Sequence, residues 1–262
     1  MNPLVALLQF QIHLGRPEDN FARAAEAAQQ AAENGCQLLL LPELWSSGYD
    51  LPNRAAYAEE NARLLPRLHA LAQQHQLWIA GSILTQRGGK FFNTLHCLSP
   101  DPLKASFTYD KLHPFPLMQE DVYLTPGAAP VLADLNWASA GCAVCYDLRF
   151  PELFRYYALS GANLFLLPAE WPQARVENWR TLIRARAIEN QSFMLACNAV
   201  QQIGGERFGG FSAVIAPNGD ILAEADGSSE TLLITELDFT FLADHRQQIP
   251  VFANRRADLF GS

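Results

Sequence analysis

The chain has no block of basic residues, no apolar run long enough to cross a membrane and no cysteine framework. Each absence removes a class of function. Lys and Arg number 19 against 27 Asp and Glu, a formal net charge of −8. Nucleic acid and acidic membrane are therefore not expected as partners. A spanning helix needs roughly 18 apolar residues in a row. The opening MNPLVALLQF lacks a basic flank and runs into Gln9 and Gln11, so no secretory leader is expected and the expected location is cytoplasmic. The five cysteines are an odd number in a chain of 262 residues, 49% of them hydrophobic. Such a chain can bury a core without staples, and reduced thiols are expected.

The six histidines are scattered without metal-ligand spacing, and there is no P-loop, no G-x-G-x-x-G and no G-x-S-x-G. Cys142 and Cys145 form a single C-x-x-C pair. A structural zinc usually takes four ligands, and strand residues three apart point to opposite faces. Neither a metal nor a cofactor is expected. No Pro/Gly/Ser-rich linker, internal repeat or low-complexity tract divides the chain. Residues 1–262 are read as a single domain with a C-terminal tail over about 238–262.

Leu4 to Ile12 reads as a strand. Phe21 to Asn34 reads as an alanine-rich helix, opened by Pro17-Glu18-Asp19-Asn20 and stopped by Gly35. Leu38 to Leu41 is a short apolar strand of the kind buried on both faces. A helix is predicted over about Ala55 to Gln74, and a hairpin over Trp78 to Thr85 and Phe91 to Leu98. Strands follow over Leu103 to Tyr109, Val131 to Leu135 and Ala140 to Val144. Pro151 opens a helix that runs to about Leu159 and stops near Gly161. Asn163 to Leu167 is again a fully apolar strand. Val176 to Asn190 is a helix, with Trp179, Leu182, Ile183 and Ala187 at spacings of three and four. Phe193 to Ala199, a hairpin over Phe211 to Ala216 and Ile221 to Ala225, and Leu232 to Leu237 complete the strands, and the tail IPVFANRRADLF reads as irregular. Alternating helices and strands with intruding hairpins give an α/β fold of mixed sheets covered by helices.

Three chemically active side chains share one kind of position. Glu43, Lys111 and Cys145 each follow an apolar strand, and in α/β folds sites are built where strands end. Cys145 also precedes a helix start, so free backbone N–H groups lie beside it, as a nucleophile with an oxyanion hole requires. Taken alone, a cysteine is more often a buried structural residue; the two other strand-exit groups weigh against that. Brought together, the carboxylate can take the thiol proton and the ammonium can stabilise a developing oxyanion. The thiolate can then attack a carbonyl or nitrile carbon. A histidine could serve as base instead, and His113, two residues past Lys111, is the one histidine at a comparable exit.

The segments LLLLPELWSSGY, YDKLHPF, GCAVCYDLRFPELFR, PAEWP and RARAIENQ follow the order seen in the nitrilase superfamily of carbon–nitrogen hydrolases, which the chain resembles from Leu4 to about Leu237. The resemblance implies a four-layer αββα sandwich of two mixed sheets flanked by helices. It implies Glu43 as general base, Lys111 as oxyanion-stabilising lysine, Cys145 as nucleophile and Glu120 as the glutamate that orients the lysine. The Tyr146 N–H would complete the oxyanion hole. The cues KLHPFPLMQEDVYLTPG, CYDLRFPE, PAEWP and IPVFANRR look most like the omega-amidase branch, which cleaves the terminal amide of 2-oxo dicarboxylic acid monoamides. Pro114 stands where relatives more often carry an aliphatic residue, and Phe211 where many carry a histidine, so both bear on substrate choice. Nitrile hydrolysis and N-carbamoyl hydrolysis are alternative reactions of the same site, and a non-catalytic binding protein is a third reading.

A small anionic amide bound by a protein of net charge −8 needs a local cation, and a guanidinium can grip a carboxylate through two hydrogen bonds. Arg149 and Arg175 are the candidates, with Tyr49 and Trp171 beside them; an ion pair from Arg149 to Asp147 or Glu152 is the competing assignment. The resemblance also implies pairing of two copies through the helix after the nucleophile and the C-terminal segments. That helix carries Phe154, Tyr156, Tyr157 and Leu159, more aromatic surface than one buried face requires. A homodimer through Leu153 to Ser160 is expected, with Val251 to Phe260 alongside.

Overall fold

The structure, a computed structural model, describes residues 2–203 and 206–260. Gly261 and Ser262, the end of the predicted tail, lie outside the described residues. In chain order the elements are β1 (Leu4–Gln9), α1 (Pro17–Glu33), β2 (Leu38–Leu40), α2 (Arg54–His75), β3 (Trp78–Arg87), β4 (Lys90–Leu98), β5 (Phe107–Asp110) and α3 (Glu120–Tyr123). There follow β6 (Leu132–Asp134), β7 (Ser139–Cys142), α4 (Pro151–Leu159), β8 (Leu164–Ala169), α5 (Val176–Asn190), β9 (Phe193–Asn198), β10 (Val200–Ile203) and β11 (Glu206–Gly209). The chain closes with β12 (Ala213–Ile215), β13 (Ile221–Glu224), β14 (Thr231–Glu236), α6 (Phe239–Gln248) and α7 (Ala257–Phe260).

Two mixed sheets of six strands form the centre, in the orders β14-β1-β2-β3-β4-β5 and β13-β12-β9-β8-β7-β6. In each, three neighbouring strands are parallel: β1-β2-β3 in the first and β7-β8-β9 in the second. The parallel strands β2 and β8 are buried along their whole length, which is why they read as unbroken apolar runs rather than alternating ones. The period-2 pleat divides the first sheet between two cores. Ala6, Leu8, Leu39, Leu41 and Ile79 pack with Ala24, Ala28 and Ala31 of α1 and Leu64 and Leu68 of α2. Val5, Leu7, Leu38 and Leu40 instead join Ala140, Leu164 and Leu195 of the second sheet in the core between the sheets. Helices α4 and α5 cover the far side of the second sheet, where Phe154 meets Phe165 edge to face at 5.2 Å. These are the four layers, helix–sheet–sheet–helix, that the resemblance implied.

Several local expectations need correction. β5 begins at Phe107 rather than Leu103, because Lys104 N turns back to Asp101 O at 3.0 Å. β12 begins at Ala213, because Phe211 has a φ of 52°, a left-handed conformation that no strand accommodates. The segment after Leu237 starts with a ten-residue helix, α6. The Asp238 side chain caps it, accepting from Thr240 N at 2.9 Å and Phe241 N at 3.0 Å. The β10–β11 ribbon was also unforeseen. The aromatic surplus on α4 is smaller than expected: Phe154 and Tyr157 are fully buried in the monomer, and only Tyr156 (53% exposed) and Leu159 (37%) face outward.

Candidate active site

The fold delivers its reactive groups at strand exits. Glu43 lies just past β2, Lys111 directly after β5, and Cys145 three residues past β7. Cys145 opens a 3-10 turn, Cys145–Arg149, that leads into α4. The backbone at two of these exits is left-handed, with φ 45° at Cys145 and 42° at Leu44 beside Glu43. Such values are uncommon outside glycine and mark sharp turns. At the β5 exit, Gly127 packs so closely that a Cβ there would lie 2.2 Å from Asp110 O. Its N–H bonds Lys111 O at 2.9 Å.

Glu43, Lys111 and Glu120 form one buried cluster, none more than 2% exposed. Lys111 Nζ donates to Glu43 Oε1 at 2.8 Å, to Glu120 Oε2 at 2.6 Å and to Tyr49 Oη at 3.4 Å. The backbone completes the carboxylate shells: Glu170 N donates to Glu43 Oε2 at 2.9 Å, and Phe115 N to Glu120 Oε2 at 2.6 Å. Tyr49 Oη donates to Glu120 Oε1 at 3.3 Å. Burial alone would strip the Lys111 proton, but Glu120, Glu43 and Cys145 outweigh it and hold the ammonium well above its usual range. Burial pushes the Glu120 carboxyl up, against the pull of Lys111, and burial and then the charges of Glu120 and Glu43 push the Tyr49 phenol up.

Cys145 is 4% exposed, with Sγ 3.9 Å from Glu170 O. Burial and then the charge of Glu43 raise its thiol well above the ordinary range, against the pull of Lys111. The resting sulfur is thus a thiol, and the acceptor that faces it is the Glu170 carbonyl. The Tyr146 N–H, in the first turn of the 3-10 helix, has no backbone acceptor among the described residues. Cys142, the other half of the C-x-x-C pair, is fully buried in the core between the sheets, and burial pushes its thiol up to about 12.

Sequence reasoning passed over two side chains. Asn93, on β4, donates from Nδ2 to Glu43 Oε1 at 2.8 Å and to Glu120 Oε1 at 3.2 Å. Its signal was a polar residue in register with the core-facing Leu95 and Cys97. Asp147, fully buried, accepts from Val144 N (2.9 Å) and from Tyr109 Oη (2.7 Å) through Oδ2. Its Oδ1 takes His113 N at 3.0 Å and lies 2.7 Å from His113 Nδ1. It therefore ties the Cys145 turn to the Lys111 exit. His113 is held on Asp147 and stacked 3.6 Å from Phe150, and it shares no hydrogen bond with the Glu43 or Lys111 side chains.

Of the expected substrate contacts, Tyr49 bonds Lys111 and Glu120, and Tyr146 and Trp171 directly follow Cys145 and Glu170 in the chain. Arg149 forms no ion pair with Asp147 or Glu152; its guanidinium lies 4.9 Å from the Trp171 ring. Arg175 lies 5.6 Å from the Phe115 ring, and its carbonyl accepts from Trp171 Nε1 at 2.8 Å. The Tyr146 ring packs on Phe115 at 4.7 Å. Phe211 lies elsewhere: its ring faces Arg180 at 4.7 Å and its carbonyl accepts from Trp179 Nε1. Pro114, between His113 and Phe115, sits in the segment that hydrogen-bonds Glu120.

The carbon–nitrogen hydrolase family model matches residues 4–247. The chain belongs to the carbon–nitrogen hydrolase family. This hydrolase is 36% identical over 258 residues to a 2-oxoglutaramate amidase of Bacillus subtilis (strain 168), covering 98% of both chains. Its fold is similar to that of XC1258 from Xanthomonas campestris, a CN-hydrolase superfamily protein solved with an arsenic adduct in its active site. That match has a TM-score of 0.91 and 28% identity, covering 97% of each chain. It is also similar, with a TM-score of 0.86 and 28% identity over 99% of this chain and 96% of the other, to a mutant amidase from Nesterenkonia sp. AN1. That structure shows covalent addition of the acetamide moiety of fluoroacetamide at the active-site cysteine.

Proposed function

We propose that this carbon–nitrogen hydrolase is an amidase that releases ammonia from the terminal amide of a short 2-oxo dicarboxylic acid monoamide through a thioester on Cys145. The observation that carries the reading is a buried cysteine thiol under the charges of Glu43 and Lys111, with the Lys111 ammonium held between Glu43 and Glu120. Glu43 takes the thiol proton as sulfur attacks the amide carbon. The oxyanion forms between Lys111 Nζ and the Tyr146 N–H. Glu43 returns the proton to the leaving nitrogen, and ammonia departs. Water, deprotonated by Glu43, then attacks the thioester; the second tetrahedral intermediate collapses to the acid and the thiol is restored.

The substrate class rests on the two guanidinium groups at the rim and on the likeness to a 2-oxoglutaramate amidase. Arg149 or Arg175 grips the remote carboxylate. The reading takes the chain as one cytoplasmic domain acting as a homodimer, with Tyr156 and Leu159 of α4 at the contact. A monomer by sedimentation at micromolar concentration would remove the dimer. An ammonia-release screen tests the chemistry: turnover is expected on 2-oxo monoamides. A preference for nitriles or ureido acids would replace this reading with another reaction of the family.

A further inference from the structure

Among the described residues, only Lys111 and Asn93 hydrogen-bond to both Glu43 and Glu120. The three N–H bonds of Lys111 Nζ are already committed, to Glu43, Glu120 and Tyr49. The amide of Asn93 adds two donors, one hydrogen to each carboxylate, beside the Tyr49 hydroxyl and the Glu170 and Phe115 N–H groups that each serve one of them. Its position is fixed at both ends. It is 3% exposed on β4, and its own carbonyl accepts from Lys111 N at 2.9 Å. A leucine of similar volume would satisfy the packing there, as Leu95 does two residues on. What it could not do is donate.

We propose that Asn93 is a positioning residue that keeps the Glu43–Glu120 pair ionised and aimed at Lys111, so that Glu43 stays available for the Cys145 proton. The proposal rests on the amidase reading above. Two carboxylates that share one ammonium in a dry site tend to trap a proton between them. Donated N–H bonds to the charged form oppose that capture. The other titratable groups facing the pair are Tyr49, Lys111 and Cys145, with Glu170 behind Glu43. Of these, Lys111 alone is cationic, and in the resting site its hydrogens point to Glu43, Glu120 and, at 3.4 Å, Tyr49. Losing the Asn93 amide raises the proton affinity of the pair, so a higher pH is needed to free the base and the acid limb of the rate profile moves upward.

The test uses Asn93→Leu in the full chain, with Asn93→Ser as a second variant whose short hydroxyl cannot reach both carboxylates. Two profiles are measured against pH: kcat/KM on a 2-oxo monoamide, and the rate at which iodoacetamide alkylates Cys145. One charge-assisted hydrogen bond corresponds to a shift of about one to two pH units. Both profiles should move their acid limbs up by that amount, with rates at alkaline pH recovering to within about tenfold of wild type. A limb that stays in place while rates fall equally at every pH would mean that Asn93 only fills space, and the proposal is then wrong. If Asn93→Leu fails to fold, Asn93→Ser gives the same decision. A wild-type enzyme with no acid limb in either profile would instead remove Glu43 as the base, and this proposal with it.

Discussion

The floor and the rim of the site are built on opposite principles. On the floor, ions are paired with ions: Lys111 with Glu43 and Glu120, all buried. At the rim, cations rest on rings: Arg149 on Trp171 and Arg175 on Phe115, with no carboxylate partner among the described residues. On the floor the ammonium is held by two short bonds to carboxylates and one long bond, 3.4 Å, to Tyr49. A guanidinium over an aromatic face is held in direction but keeps its N–H fork for something else. Under the proposed reading the floor would break the bond and the rim would recognise the substrate, and each side can be attacked on its own.

The largest effect is expected at the sulfur. Cys145→Ala should lower turnover by 10²-fold or more, since no thioester can form, while the fold survives. Retention of a tenth of wild-type activity would end the covalent mechanism. Next comes the floor itself. Lys111→Met leaves two carboxylates buried without their cation, which costs about 3–5 kcal/mol, measured by urea unfolding near neutral pH. The variant should regain stability in acid. Burial raises the Glu120 carboxyl above its ordinary 4.5; a folded acid with raised proton affinity is favoured below that pH and loses stability as pH rises. A stability loss that is the same at every pH would mean packing, not charge, was removed.

A control lies on the other face of β4, where His96 is buried and forms no ion pair among the described residues. Burial, and then Arg87, lowers its imidazole to about 4, against the pull of Asp110. The folded form therefore resists protonation. Its contribution is complete above about pH 6.5 and falls away towards pH 4, by about 3 kcal/mol. His96→Leu should flatten that part of the stability profile, and an unchanged profile would mean the ring already shares a proton. The smallest effect belongs to the rim. Arg149→Lys or Arg175→Lys should cost about 1.5–3 kcal/mol in kcat/KM for a carboxylated amide and nothing for its uncharged analogue. Equal losses on both substrates would make that arginine part of the framework.

How much of this was legible in the sequence varies with the physics. Helix α5 matches its predicted limits because the three-and-four spacing of Trp179, Ile183 and Ala187 is a direct imprint of burial. Glu43, Lys111 and Cys145 stand out because polar groups at the ends of apolar strands need an explanation. Asn93 did not, since a lone amide in a hairpin strand looks like surface; only the register of β4 turns it inward. Helix α6 was missed although Asp238 is a sound cap, because its apolar face is thin, with Leu242 its one fully covered residue. Arg149 was weighed against a salt bridge that would have been local in sequence; the ring it found, Trp171, arrives from the far side of β8.

Glu43 and the Glu170 N–H it accepts from are 127 positions apart, and they belong to different sheets. Contacts of that separation close late in folding. A chain leaving the ribosome has made Glu43 long before the partner that fixes it exists. If Cys145 is the nucleophile proposed above, a half-assembled molecule is expected to be inactive until the two sheets dock. During refolding, catalysis should therefore lag behind the recovery of helix and strand, and activity becomes a clock for the closing of the sandwich.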